Sequence, residues 1–154
     1  MAGIIGTHVV VQVGIVVRDI EKTKKKFAEF LGVDVPISKP SGDYKITQTV
    51  YQGQPAPDAA ALLAFFSAGD NFQLELIQPN GVASTWQDFL DEHGEGVHHI
   101  AFTIKDMKGK IKACEEFGMP LIQSAEYSKG NGRYAYMDAS EDLKVLIELL
   151  ENDG

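Results

Sequence analysis

Arginine and cysteine are nearly absent from this chain, and so is any excess of positive charge. Only Arg18 and Arg133 are arginines, against 12 lysines, and the acidic residues carry the net charge to -8. A nucleic-acid duplex or an anionic membrane surface would repel such a chain, so neither is an expected partner. Scarce arginine also leaves few bidentate holders for carboxylate or phosphate groups. Cys114 stands alone, which excludes an intrachain disulfide and makes a reducing, cytoplasmic setting the expectation. It equally excludes a structural zinc site built from thiolates. No long apolar run is present: residues 9–17 are interrupted by Gln12 and are far too short to span a bilayer.

What the chain does contain is a repeat. With Gln12 written over His99, the stretch "QVGIVVRDIEKTKKKFAEFLGV" aligns with "HIAFTIKDMKGKIKACEEFGM". The pairs include Val13/Ile100, Gly14/Ala101, Ile15/Phe102, Val17/Ile104 and Asp19/Asp106. A second match sets "LELIQ" of residues 74–78 against "IELLE" of residues 147–151. One domain over residues 1–154 is expected, made of a first module (7–79), a linker with a short helix (80–96) and a second module (97–152). Each module reads as strand, helix, then three strands, an α+β pattern written βαβββ. Val9, Val11, Val13, Ile15 and Val17 form a period-two stripe. Asp19 and Asp106 stand where helix N-caps are wanted, with Gly32 and Gly118 at the far ends. Ile20, Phe27, Phe30 and Leu31 share one helical stripe, leaving "KTKKK" as a solvated face. Ser84 caps a helix "TWQDFLDEH" that stops at Gly94, with Trp86, Phe89 and Leu90 packing it down. The segment "YKITQTVY" is read as a strand.

Strand parity separates the chemistry from the packing. Gln12, Gly14 and Val16 share one face, as do His99, Ala101 and Thr103, while His98 falls on the other face and reads as structural. Small and polar neighbours beside Gln12 and His99 point to a cavity on that face. Glu75 and Glu148 sit in the middle of apolar strands at equivalent positions of the repeat, where an unpaired carboxylate is costly to bury. A pseudo-twofold relation between the modules would bring Gln12, Glu75, His99 and Glu148 to one point. One imidazole nitrogen and three oxygen donors suit a divalent cation, with cobalt, manganese, nickel, zinc and magnesium not distinguished.

The stretches "VGIVVRDIEKT", "LELIQP", "GEGVHHIAF" and "LIELLE" resemble the vicinal oxygen chelate (glyoxalase/bleomycin resistance/dioxygenase) superfamily. The likeness runs over nearly the whole chain and is nearest to the methylmalonyl-CoA epimerase-like branch. It implies two modules with pseudo-twofold symmetry, forming a curved sheet around a metal and substrate cavity. It also places the family's metal ligands on Gln12, Glu75, His99 and Glu148. Glutamine at the first position departs from the epimerases and matches the Gln/Glu/His/Glu set of eukaryotic-type glyoxalase I.

That resemblance implies an isomerase, an epimerase or racemase moving a proton at the carbon next to a carbonyl, with Glu148 and Glu75 as the acid/base pair. Lactoylglutathione lyase chemistry is the competing enzymatic reading, and a non-catalytic small-molecule binding protein is the third. The epimerases' additional glutamate has no counterpart, since none occurs between Glu29 and Glu75; Asp58 or Tyr51 could replace it. Tyr44, Tyr51, Phe65, Gln73, Tyr127, Tyr134 and Tyr136 are candidate pocket residues. Such a lining leaves room for a neutral aromatic ketone such as an isoflavanone. A small-molecule carbonyl substrate and a homodimer are the expected partners.

Overall fold

The computed structural model describes residues 3–154. Its first half runs β1 (Gln12–Val16), α1 (Ile20–Leu31), β2 (Lys39–Pro40), α2 (Tyr44–Thr47), β3 (Val50–Tyr51), β4 (Gln54–Pro55), β5 (Ala61–Ser67) and β6 (Gln73–Pro79). The second half runs α3 (Thr85–His93), β7 (Gly96–Thr103), α4 (Met107–Glu116), β8 (Leu121–Glu126), β9 (Gly132–Met137), α5 (Ser140–Leu143) and β10 (Leu146–Asn152). The strands form one curled sheet of order β2-β5-β6-β1-β7-β10-β9-β8-β3-β4. At its centre β1 lies antiparallel to β7. Each is flanked by the closing strand of its own half in parallel, β6 beside β1 and β10 beside β7. The α+β, twice-repeated arrangement expected from the sequence is therefore present, with its pseudo-twofold axis between β1 and β7.

Local chemistry sets the helix ends. The Asp19 carboxylate accepts from Lys22 N and Gly32 closes α1 in the left-handed region at φ 69°. Asp106 accepts from Gly109 N at the start of α4, and Ser84 accepts from Gln87 N at the start of α3. Capping of this kind satisfies donors that the helix itself cannot. One face of the sheet carries α1 over Leu76, Phe66 and Ala64, and α4 over Ile147, Leu149 and Met137. On the opposite face α3 packs Trp86 and Leu90 against Val16, Ile77 and Tyr136. Cys114 is buried in the α4 core, as a small apolar residue would be.

Several expectations fail, each for a local reason. The first strand begins at Gln12, not at residue 9. Helix α1 buries Ile20, Lys24 and Ala28, a narrow i, i+4, i+8 line. Phe30 is 84% exposed and Leu31 40%, so the stripe expected to be buried is partly open to solvent. Lys24, expected on the solvated face, is instead buried, with its ammonium 2.9 Å from Glu21 and 3.0 Å from Ser38. The segment read as the strand "YKITQTVY" starts as helix α2: the Asp43 carboxylate caps Lys45 N, and Gln48 ends the turn at φ 47°. Only Val50 and Tyr51 are extended, and they pair with β8 of the second half. Residues 41–49 thus cross from the β5 edge to the β8 edge. The boundary between 7–79 and 97–152 divides the repeat in sequence but not in space.

Candidate metal centre

Four neighbouring strands, β6-β1-β7-β10, bring one polar residue each to the middle of the cavity face. Strand β1 supplies Gln12, β7 supplies His99, β6 supplies Glu75 and β10 supplies Glu148, and all four are buried. His99 Nε2 lies 2.9 Å from Gln12 Oε1, 3.1 Å from Glu148 Oε1 and 3.5 Å from Glu75 Oε1. One ligating atom from each of Glu75, His99 and Glu148 falls within 4.8 Å of the others. The residues singled out in the sequence are therefore together in space.

Register explains the convergence. Across the central pair Gly14 faces His99 and Gln12 faces Ala101. The parallel neighbours place Glu75 beside Gly14 and Glu148 beside Ala101. A Cβ at Gly14 would stand 2.0 Å from His99 Cε1, so the imidazole fills the volume that any other side chain would occupy. The Gly14/Ala101 match within the repeat carried this signal as two small residues beside Gln12 and His99.

Glu75 Oε1 and Glu148 Oε1 are buried and, among the described residues, have no hydrogen-bond partner, despite their closeness to His99. Burial first, and the like charge of Glu148 second, push the Glu75 carboxyl well above the ordinary carboxylate range. Unpaired carboxylate oxygens in an apolar surrounding are a large cost unless a positive charge meets them. A divalent cation would be that charge. Two carboxylate oxygens, one imidazole nitrogen and one amide oxygen are suitable donors for it. The donor set fits the group.

The open cavity above the centre measures about 870 Å³, and Phe65, Gln73, Tyr127, Tyr134 and Tyr136 line it, as does Trp86. Gln73 also accepts a bond of 3.2 Å from Gln12 Nε2, which turns the Gln12 amide oxygen inward. Burial first, and then the Glu148 charge, raise the Tyr136 phenol well above its ordinary value. Its oxygen accepts from Trp86 Nε1 at 3.1 Å. Tyr51 does not line the cavity: its hydroxyl donates to Asp88 on α3, and burial followed by that bond push it up to about 12. Tyr44 is also outside the lining, and Asp58 is exposed on a turn. Neither Tyr51 nor Asp58 supplies a replacement base.

His98 departs from the parity expectation. The β1–β7 register jumps between Gly14 and Ile15, which face His99 and Val97, leaving His98 as an extra residue. Such a bulge breaks the alternation of faces. His98 therefore lies beside His99, with ring centroids 5.1 Å apart, and 5.1 Å from the ring of Tyr136. Burial first, then His99, pull its proton affinity well below the usual imidazole range, which keeps the ring neutral. Its Nδ1 is 2.8 Å from His99 Nδ1, and its Nε2 is 3.1 Å from Thr85 Oγ1. Two adjacent histidines give no sequence signal for this, because only the bulge turns them to one side.

Comparison with known proteins agrees with the fold. A family model described as the Glyoxalase/Bleomycin resistance protein/Dioxygenase superfamily matches residues 11–137. The crystal structure of methylmalonyl-CoA epimerase from Mycobacterium tuberculosis superposes with a TM-score of 0.67 at 19% identity, covering 100% of this chain and 93% of that one. A Streptomyces coelicolor methylmalonyl-CoA epimerase variant in complex with 2-nitronate-propionyl-CoA gives 0.66 at 21% identity, covering 94% and 97%. Uncharacterized protein YqjC of Bacillus subtilis (strain 168) is 36% identical over 93 residues, 60% of this chain, and the match spans 66% of the relative's length. Among the described residues no helix is long and apolar enough to cross a membrane.

Two outcomes follow from the centre itself. Gly14→Ala places a methyl group inside the His99 ring volume. It should lower Zn²⁺ affinity at least about tenfold, by calorimetric titration, with the circular dichroism of the fold retained. Glu75→Gln removes a buried carboxyl whose proton affinity is raised in the folded state. A group of that sign costs stability as pH rises from its unfolded value through its folded one. In chelator-treated protein at pH 7–8 the variant should be the more stable by roughly 1–3 kcal/mol. Each kcal/mol is worth about 2–4 °C in a chain of this size, and the gap should close as pH falls to the ordinary carboxylate value of 4.5. Thermal melts across that range check it; an unchanged gap at all pH values would refute the burial argument.

Proposed function

Because the chain belongs to the glyoxalase/bleomycin resistance protein/dioxygenase superfamily, we propose that it is a metal-assisted epimerase or racemase moving a proton at the carbon next to a carbonyl, working in the cytoplasm as a homodimer. The observation that carries this is the pair of unpartnered, buried carboxylate oxygens, one from each half of the chain, beneath an open cavity. Gln12, Glu75, His99 and Glu148 would hold the cation. A bound divalent ion supplies a Lewis acid at the oxygen where enolate charge develops.

The chain's own residues do the rest. Glu148 takes the proton from carbon, and Glu75, whose raised proton affinity lets it enter the step protonated, returns its own on the opposite side of the planar intermediate; exchange with solvent then resets both carboxyls. Trp86 and Tyr136 pack beneath the centre and lower the local dielectric there. The fold likeness to methylmalonyl-CoA epimerases stands at 19–21% identity, and supports the architecture alone.

The cavity's charge favours a neutral substrate. Among the described lining residues Lys39 is the sole cation, against Glu75, Glu126 and Glu148. Arg133 is occupied by Glu126, Glu151 and Asp153 at 3.1, 2.5 and 2.8 Å. A polyanionic thioester of coenzyme A finds little to hold its phosphates here. A neutral aromatic ketone such as an isoflavanone, with an acidic proton beside its carbonyl, suits the tyrosine-rich wall.

In deuterium oxide the wild-type protein with metal should incorporate solvent deuterium into a chiral substrate of this class and scramble its configuration. Glu148→Gln should slow that exchange by about 10²–10⁴-fold with its melting temperature retained; exchange at the wild-type rate would take the base role from Glu148. Turnover of the glutathione hemithioacetal would replace this reading with lyase chemistry, and tight binding with no exchange would make the protein a carrier. Offered side by side, an isoflavanone should exchange and methylmalonyl-CoA should not. The reverse result would return the substrate to the coenzyme A class.

A further inference from the structure

We propose that His98 is a positioning residue: its Nδ1 accepts a hydrogen bond from His99 Nδ1–H and so keeps the His99 lone pair on Nε2, facing Gln12, Glu75 and Glu148. The inference rests on the metal-binding part of the proposed function, and it concerns the proton placement on which that binding depends.

A neutral imidazole carries one N–H and one lone pair. The two Nδ1 atoms are 2.8 Å apart and both rings are buried, His98 at 1% and His99 at 0% exposure. Two lone pairs, or two N–H groups, would repel at that distance, so a single proton lies between them. If His98 owned it, His99 would carry its own proton on Nε2 and could offer no lone pair to a cation. If His99 owns it, His98 must be protonated on Nε2, where Thr85 Oγ1 waits at 3.1 Å as an acceptor. Only this second arrangement presents four donors to one point, and the 2.9 Å approach of Gln12 Oε1 to His99 Nε2 then requires a cation between the two lone pairs.

Other contacts stop His98 from leaving. Phe89 meets its ring edge-on with centroids 5.5 Å apart, and Tyr136 does so at 5.1 Å. Thr85 is itself held, its N–H donating to Gln123 Oε1 at 2.9 Å, and Gln123 Nε2 donates in turn to Tyr134 at 3.0 Å. The bulge in β7 is what puts the acceptor in place, since regular alternation would send His98 to the helix face. Metal-ligating histidines commonly have an oriented acceptor of this kind, most often a carboxylate, a backbone carbonyl or water. Here the acceptor is a second, neutral imidazole, which orients the ligand without adding a third negative charge beside Glu75 and Glu148.

The test uses the whole chain labelled with ¹⁵N-histidine and loaded with Zn²⁺. Long-range proton–nitrogen correlation should find His99 protonated on Nδ1 and His98 on Nε2; the opposite pair of tautomers overturns the proposal, whatever any variant does. His98→Phe keeps a ring against Phe89 and Tyr136 but removes the acceptor, and Zn²⁺ affinity should fall about 10–100-fold. His98→Asn places an amide oxygen near the lost Nδ1 and should recover most of that affinity. A Phe variant that binds Zn²⁺ as the wild type does, or an Asn variant as weak as a folded Phe variant, counts against the role of His98. Wild-type protein that takes up no Zn²⁺ removes the metal reading, and this inference with it.

Discussion

The contact on which the cup depends is the face-to-face meeting of β1 with β7. Opposed residues of antiparallel strands are only about 4.5–5.5 Å apart at Cα, so a large side chain on one strand needs empty space on the other. The chain supplies that space twice, Gly14 opposite His99 and Ala101 opposite Gln12. The flanking parallel strands then set Glu75 beside Gly14 and Glu148 beside Ala101. Four polar groups share the centre because two small residues make room for them. The pseudo-twofold does more than decorate the fold, since it places a buried polar residue and a vacated position on each strand of the pair.

Concentrating two carboxylates in a buried place works against stability, and the surroundings sharpen the conflict. Trp86, Leu90 and Tyr136 make an apolar end to the cup, which lowers the local dielectric and raises the cost of each charge. The segment joining β2 to β3 ties the two open edges of the sheet together, with Ser41 N donating to Ala61 O on one side and Val50 facing Ser124 on the other. A sheet laced across in this way resists opening to relieve the strain at its centre. Buried, unpaired carboxylates with perturbed proton affinity beside a cavity mark a candidate functional site.

How far the residues alone foretold this depends on how regular the local backbone is. Between Gln12 and Val16 the strand alternates without interruption, so parity placed Gln12 and Gly14 correctly. In β7 the same rule gave His99 its face and failed one residue earlier, because a bulge is a register event between strands and has no private signature in either. Helix α1 was capped as Asp19 and Gly32 foretold, yet its buried line passes through Lys24 and leaves Phe30 outside. Periodicity counts a lysine as outward; Glu21 and Ser38 supply partners that let this one turn in. Strand propensity in "YKITQTVY" lost to the Asp43 cap and to the need to span the gap between sheet edges. The candidate site was legible because its polar residues repeat; Gln73, Thr85 and His98 do not repeat and were legible only in part or not at all.

Those three residues share a logic that the carboxylates do not need. An ionised carboxylate offers an acceptor whichever oxygen turns inward, so Glu75 and Glu148 need only the right backbone position. A neutral donor has a right end and a wrong one. Gln12 can present an oxygen or an N–H, and Gln73, by accepting from its Nε2 at 3.2 Å, commits the oxygen to the centre. His99 can present a lone pair or an N–H, and its far nitrogen meets His98, which in turn meets Thr85. Gln12 thus requires a partner for its amide, whereas His99 requires a partner for its far ring nitrogen. Gln73 sits two residues before Glu75 on the same face of β6 and opposite Gln12 in register, so one strand supplies both a carboxylate of the centre and the residue that orients its amide.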